Sequence, residues 1–65
     1  MTIKLSHAFS EVQGAKIIGV AVQTMRNWRH QRRGPSYYKI GRAVRYRLED
    51  LMEYLELKKI DPENQ

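Results

Sequence analysis

Gln23, Arg26 and Asn27 stand within five positions of one another and carry the side chains best suited to reading base edges. An arginine fork matches the O6/N7 edge of guanine, and an Asn or Gln amide matches the N6/N7 edge of adenine. Thr24 and His30 share the segment, and Arg29, Arg32 and Arg33 follow it. Those three arginines suit phosphate oxygens, contacts that position a protein on a duplex without reading sequence. Tyr37 and Tyr38 come next; one is expected to pack inward, and a hydroxyl, that of Tyr38, to reach a backbone phosphate. A second constellation surrounds Gly41, with Lys39, Arg42, Arg45 and Arg47 on either side. A short basic loop with Arg42 at its tip has the shape and charge to enter a minor groove. The plainer reading of both sets is a solvated face and a hairpin that only closes a core. Their joint occurrence in one basic segment favours recognition.

Charge supports that preference by its distribution. The 65-residue chain carries a formal net charge of +5. No acidic residue falls between Glu11 and Glu49, and eight of the twelve Lys and Arg residues lie in the 22 positions from Arg26 to Arg47. Glu49, Asp50, Glu53, Glu56, Asp61 and Glu63 make the C-terminal part acidic. One face should attract a polyanion and another should avoid it.

Several function classes fall away. At this length the side chains that would line a catalytic pocket are needed for the core, so no enzyme is expected. There is no cysteine, and His7 and His30 lack ligand-spaced partners. Hence no metal, cofactor or small-molecule ligand is expected. No apolar run is long enough to span a bilayer, and Lys4 and His7 interrupt anything resembling a signal peptide. The expected location is the cytoplasm.

These side chains need elements to hold them. Residues 1–8 read as a lead-in, with Ile3 and Leu5 as its apolar positions, 9–60 as the folded domain and 61–65 as a polar tail. Ser10 with Gln13 forms a capping-box pattern ahead of a helix over Glu11–Ile18, and Gly19 suits its left-handed C-terminus. Val12, Ala15, Ile17 and Ile18 supply the apolar positions. A tight turn at Val20–Ala21 leads to a second helix over Val22–Gln31, with Met25 and Trp28 on its apolar face. That spacing makes Trp28 a core residue rather than a stacking platform for single strands. Gly34–Pro35 ends the segment. Tyr37–Ile40 and Val44–Arg47 read as strands joined by Gly41–Arg42–Ala43, with Ile40, Val44 and Tyr46 inward and Lys39, Arg45 and Arg47 outward. A third helix spans Leu48–Lys59 with an apolar stripe of Leu48, Leu51, Met52, Tyr54 and Leu55. The fold class is mainly α with a small β-hairpin, a winged helix-turn-helix. Gln23–His30 is its reader and Lys39–Tyr46 its wing.

The chain resembles the excisionase/AlpA-type helix-turn-helix family, a compact branch of the MerR-like winged-helix proteins. The matching residues are Phe9-Ser10-Glu11-Val12, Ala15-Lys16-Ile17-Ile18-Gly19-Val20, Thr24-Met25-Arg26-Asn27-Trp28, Gly34-Pro35, Tyr37-Tyr38-Lys39-Ile40-Gly41-Arg42, Val44-Arg45-Tyr46, Glu49-Asp50-Leu51 and Tyr54-Leu55. The resemblance implies a recognition helix in the major groove and a wing on the adjacent minor groove. It implies a bacterial or phage-encoded excisionase that binds and bends DNA beside an integrase or recombinase. The alternative is an AlpA-like regulator acting on RNA polymerase. Two residues depart from the family pattern. Ala21 stands where a Ser or Thr N-cap is usual, and Gly14 where alanine is usual. Both are expected to cost stability rather than function.

So small a contact surface is expected to need several copies side by side on double-stranded DNA. A function of another class is a module whose basic face meets an acidic partner; salt-dependent binding to duplex DNA, measured against an acidic control protein, separates the two. RNA binding ranks lower, since no exposed aromatic sheet is in view.

Overall fold

The computed structural model describes residues 8–62. The expectations placed on residues 1–7, including Ile3 and Leu5, lie outside the described residues, as do the last three positions of the tail. The order is β1 (Ala8–Phe9), α1 (Glu11–Ile18), α2 (Val22–His30), β2 (Tyr38–Ile40), β3 (Ala43–Arg47) and α3 (Leu48–Leu57).

Local chemistry sets the start of α1 as the sequence predicts. Ser10 Oγ accepts from the Gln13 backbone N–H at 3.2 Å, and Gln13 Oε1 accepts from the Ser10 N–H at 3.0 Å. Two orphan donors of the first turn are thereby satisfied. Gly19 closes the helix at φ 89°, with its N–H on the Ala15 carbonyl. Val20 and Ala21 complete the turn into α2, whose N-cap, Ala21, offers no side-chain acceptor.

The far end of α2 stops by a different device. The Arg33 N–H reaches the Trp28 carbonyl at 2.8 Å and the Arg32 N–H reaches the Arg29 carbonyl at 3.1 Å. This pair of reverse bonds is a Schellman motif, which needs a left-handed residue just past the cap. Arg32 occupies that place at φ 57°, where glycine is the usual choice. Helix α2 therefore ends at His30, with Gln31 as cap, one residue short of the expected end. Helix α3 ends at Leu57 rather than Lys59, and Lys58 is its cap, with its ammonium over the Tyr54 ring.

The sheet departs from expectation in an informative way. β3 is central, with β1 and β2 antiparallel on its two sides. Ala8 and Phe9, expected at the lead-in boundary, pair with Arg47 and Tyr46. β2 and β3 pair Ile40 with Ala43, so the connection is the two residues Gly41–Arg42 rather than three. Gly41 has φ 61° and Arg42 a negative φ, the glycine-first arrangement of a type II′ hairpin turn. Opposed residues share a face, and one residue fewer in the loop exchanges the two faces of β2. Lys39 thus shares the face of Val44 and Tyr46, while Ile40 turns away and is exposed. The inward Ile40 and outward Lys39 of the sequence reading are reversed.

The core is Ala15, Met25, Tyr46 and Leu51, with Phe9, Ile18, Val20, Val22, Trp28 and Val44 packed against it. Trp28 lies on the core side as expected, its ring 5.4 Å from that of Tyr54 and against Gly34. Val12, Ile17, Leu48 and Met52, expected inside, are exposed. The small sheet and three short helices cover only a narrow stripe of each helix. Gly14 has a reason beyond helix propensity. A Cβ there would meet the Tyr46 ring at 3.2 Å, so glycine lets α1 lie directly on that buried tyrosine.

Candidate nucleic-acid interface

Helix α2 presents Gln23, Arg26, Asn27 and His30 to solvent, with Thr24 half-buried beside them. Gln23 and Asn27 lie one turn apart, and the Gln23 amide donates to Asn27 Oδ1 at 3.1 Å. That bond orients the Asn27 amide and leaves its N–H groups without a partner. Polar side chains at i, i+3 and i+4 share one helix face, so these residues form one strip along α2.

The hairpin stands beside that strip. Arg29, His30, Tyr37, Lys39, Arg42 and Val44 line one open groove between α2 and the wing, about 360 Å³ in volume. A second opening, toward the start of α1, is lined by residues including Glu11, Arg26, Arg29, Arg42 and Arg45. Arg42 and Arg29 border both, so α2 and the hairpin form one continuous surface. The exchange of faces in β2 is what brings Lys39 to it.

Arg32 and Arg33 extend the basic surface past the end of α2, where they line a third cleft with Arg29, Gly34, Pro35, Ser36 and Tyr37. Arg45 curls back so that its Nη1 donates to the Val44 carbonyl at 2.8 Å, and it borders the second opening.

Two expected contact residues lie elsewhere. Arg47 pairs with Glu49 at 3.1 Å and Asp50 at 3.4 Å at the start of α3, and its guanidinium covers the Tyr38 ring. Tyr38 and Arg47 share the sheet face opposite the groove. The tyrosine at the groove is Tyr37, whose ring contacts that of Tyr46 and lies under the Arg29 guanidinium.

The residue that sequence reasoning missed is Glu11. Its Oε1 accepts from Arg26 Nη2 at 2.6 Å and Nε at 3.0 Å, and its Oε2 accepts from Arg29 Nη2 at 2.8 Å. Arg29 Nη1 in turn donates to the Tyr46 hydroxyl at 3.1 Å. One carboxylate at the first turn of α1 thus ties two arginines of α2, and through Arg29 the sheet. The hydrogen bond from Arg26 holds the Glu11 carboxyl below the usual carboxylate range, with Arg29 adding to the effect against partial burial. The signal was present in the sequence: Glu11 is the last acid before the long basic interval.

Two helices joined by a tight turn, a hairpin beside the second and a third helix behind define a winged helix-turn-helix domain. Comparison with protein families agrees: residues 11–58 match a helix-turn-helix domain, and the chain belongs to that family. No curated protein matches the chain. Among the described residues, no helix is long and apolar enough to cross a membrane, and no three side chains cluster as metal ligands.

Proposed function

We propose that this protein binds double-stranded DNA in a sequence-dependent manner, with α2 in the major groove and the β2–β3 hairpin on the adjacent minor groove. The carrying observation is the continuous open surface on which Arg26, Arg29, His30, Lys39 and Arg42 meet, with Gln23 and Asn27 exposed on the same helix. Asn27 and Arg26 read base edges, Thr24 and Gln23 support them, and Arg32, Arg33 and Arg45 hold phosphates. The act is binding rather than catalysis. With the resemblance to excisionase/AlpA-type and MerR-like proteins, the output we favour is that of an excisionase, cytoplasmic and of bacterial or phage origin. It would bend DNA in neighbouring copies beside an integrase. An AlpA-like regulator working with RNA polymerase would use the same surface. Recombination assayed with and without the protein on an attachment-site substrate separates these two outputs.

The binding roles are tested by affinity for a selected site and for random duplex at one salt concentration. Asn27→Ala should weaken binding to the selected site by about 1–3 kcal/mol and leave random-duplex binding nearly unchanged, since it removes no charge. Arg42→Ala should weaken both and reduce any preference for A·T-rich flanks. If Asn27→Ala leaves the ratio of the two affinities unchanged and Arg42→Ala collapses it, the hairpin is the reader and the roles are reversed.

A further inference from the structure

A carboxylate on a surface meant for phosphates is an electrostatic liability. Glu11 nevertheless lines the second opening beside Arg26, Arg29 and Arg42, its side chain only 23 % exposed and in contact with two of those arginines. A purely structural ion pair would not need a residue of the reading face. From this geometry we infer that Glu11 is a specificity-determining residue, which clamps Arg26 for base reading and withholds Arg26 and Arg29 from phosphates. The inference rests on the reading of α2 as the base-contacting helix.

The geometry of the clamp carries the argument. Arg26 meets Glu11 through Nε and Nη2, both on the same oxygen, so the side edge of its guanidinium is occupied. The end edge, Nη1 with the second Nη2 hydrogen, stays available. That edge is a two-donor fork of the kind that matches guanine O6 and N7. The hydrogen bonds and ion pair of Arg26 go to Glu11, so the carboxylate sets where the fork points. Arg29 is different: its side chain is 17 % exposed and held by Glu11 and Tyr46 together, which makes it the anchor of the clamp. A loose arginine would trade between phosphates and bases. A clamped one loses less freedom on meeting a base, and its charge is partly cancelled toward a phosphate.

The experiment uses the full chain and its Glu11→Gln variant, each checked for folding by circular dichroism. Each is used to select from a randomised duplex pool. Affinities are then measured for the selected duplex and a scrambled one across a salt series. The unsubstituted protein should prefer guanine at one position, and Arg26→Ala should abolish that preference. Glu11→Gln should lower the ratio of selected to scrambled affinity about tenfold. It should also bind the scrambled duplex more tightly, with a salt dependence steeper by roughly one to two units as the two arginines reach phosphates. In the Arg26→Ala background, Glu11→Gln should no longer change the ratio, which a general effect on folding would not reproduce. Retention by Glu11→Gln of both the guanine preference and the ratio would overturn the inference. Should Glu11→Gln fail to fold, Glu11→Asp keeps the charge but shortens the reach: a lowered ratio supports the clamp and an unchanged one overturns it. Absence of any duplex binding by the unsubstituted protein would instead sink the DNA-binding reading, and this inference with it.

Discussion

At the scale of single residues, two side chains hold positions that local preference alone would not assign them. Arg32 sits in the left-handed region at φ 57°, which costs a residue with a Cβ on the order of 1–2 kcal/mol. A strained residue kept at a surface cleft with Arg29 and Arg33 points to use of its guanidinium. Arg32→Gly should therefore raise stability by about 1 kcal/mol in urea unfolding. It should also weaken duplex binding and flatten the salt dependence by about one unit. Glu11 is the other. Its carboxyl is held low by Arg26 and then Arg29, so the unfolded chain takes up its proton first as pH falls. The contribution is fully present above the value of the unfolded chain and is lost as pH drops through the lower folded value. Melting temperature followed from pH 6 to about 2.5 should fall less in Glu11→Gln than in the unsubstituted protein over that window. Equal slopes would show that the clamp adds no stability.

At the scale of elements, the two helices of the recognition unit begin in contrasting ways. Helix α1 has a full capping box, whereas α2 starts at Ala21 with no side-chain cap. Of the two, α2 is consequently the one whose first turn is held least by local bonds. Only the Ala21 carbonyl serves it, accepting from Thr24 and Met25. Ala21→Ser would supply the missing acceptor and should stabilise the fold by about 1 kcal/mol, read as a shift in unfolding midpoint at unchanged slope. No midpoint shift would mean that Met25, wholly buried, already fixes the start of α2 by packing. The wing shows the converse dependence. Its two-residue turn places Gly41 at positive φ, and that loop length alone decides that Lys39 rather than Ile40 shares the groove side with Val44.

For the whole molecule, the consequence is segregation of charge around a very small core. The groove side gathers His30, Arg32, Arg33, Lys39, Arg42 and Arg45, while α3 carries Glu49 and Asp50 at its first turn. Arg26 and Arg29 are held by Glu11, and Arg47 by Glu49 and Asp50. On the proposed DNA-binding reading, that leaves Arg32, Arg33, Lys39, Arg42 and Arg45 to meet phosphates. About five such contacts set a slope of log K against log salt of about −4 to −5 on random duplex. A slope near zero would remove the electrostatic account of the basic segment, and one of about −6 would mean that Arg26 and Arg29 leave Glu11 when DNA arrives.

Sequence by itself determined the features that depend on near neighbours. The Ser10–Gln13 box, the Gly19 terminus and the helical period of Met25 and Trp28 each arise within a turn or two of chain. The excess of cations from Arg26 to Arg47 needs no structure to be seen. Tertiary structure decided the rest, because those outcomes depend on residues far apart in the chain. Pairing of Ile40 with Ala43 fixed the faces of the hairpin, since side chains alternate with period two and one residue of loop exchanges them. Packing of α1 across α2 brought Glu11 onto arginines fifteen and eighteen positions away. It also decided which apolar residues stay outside: Val12, Leu48 and Met52 fit the period of a buried face, but among the described residues no further layer covers them.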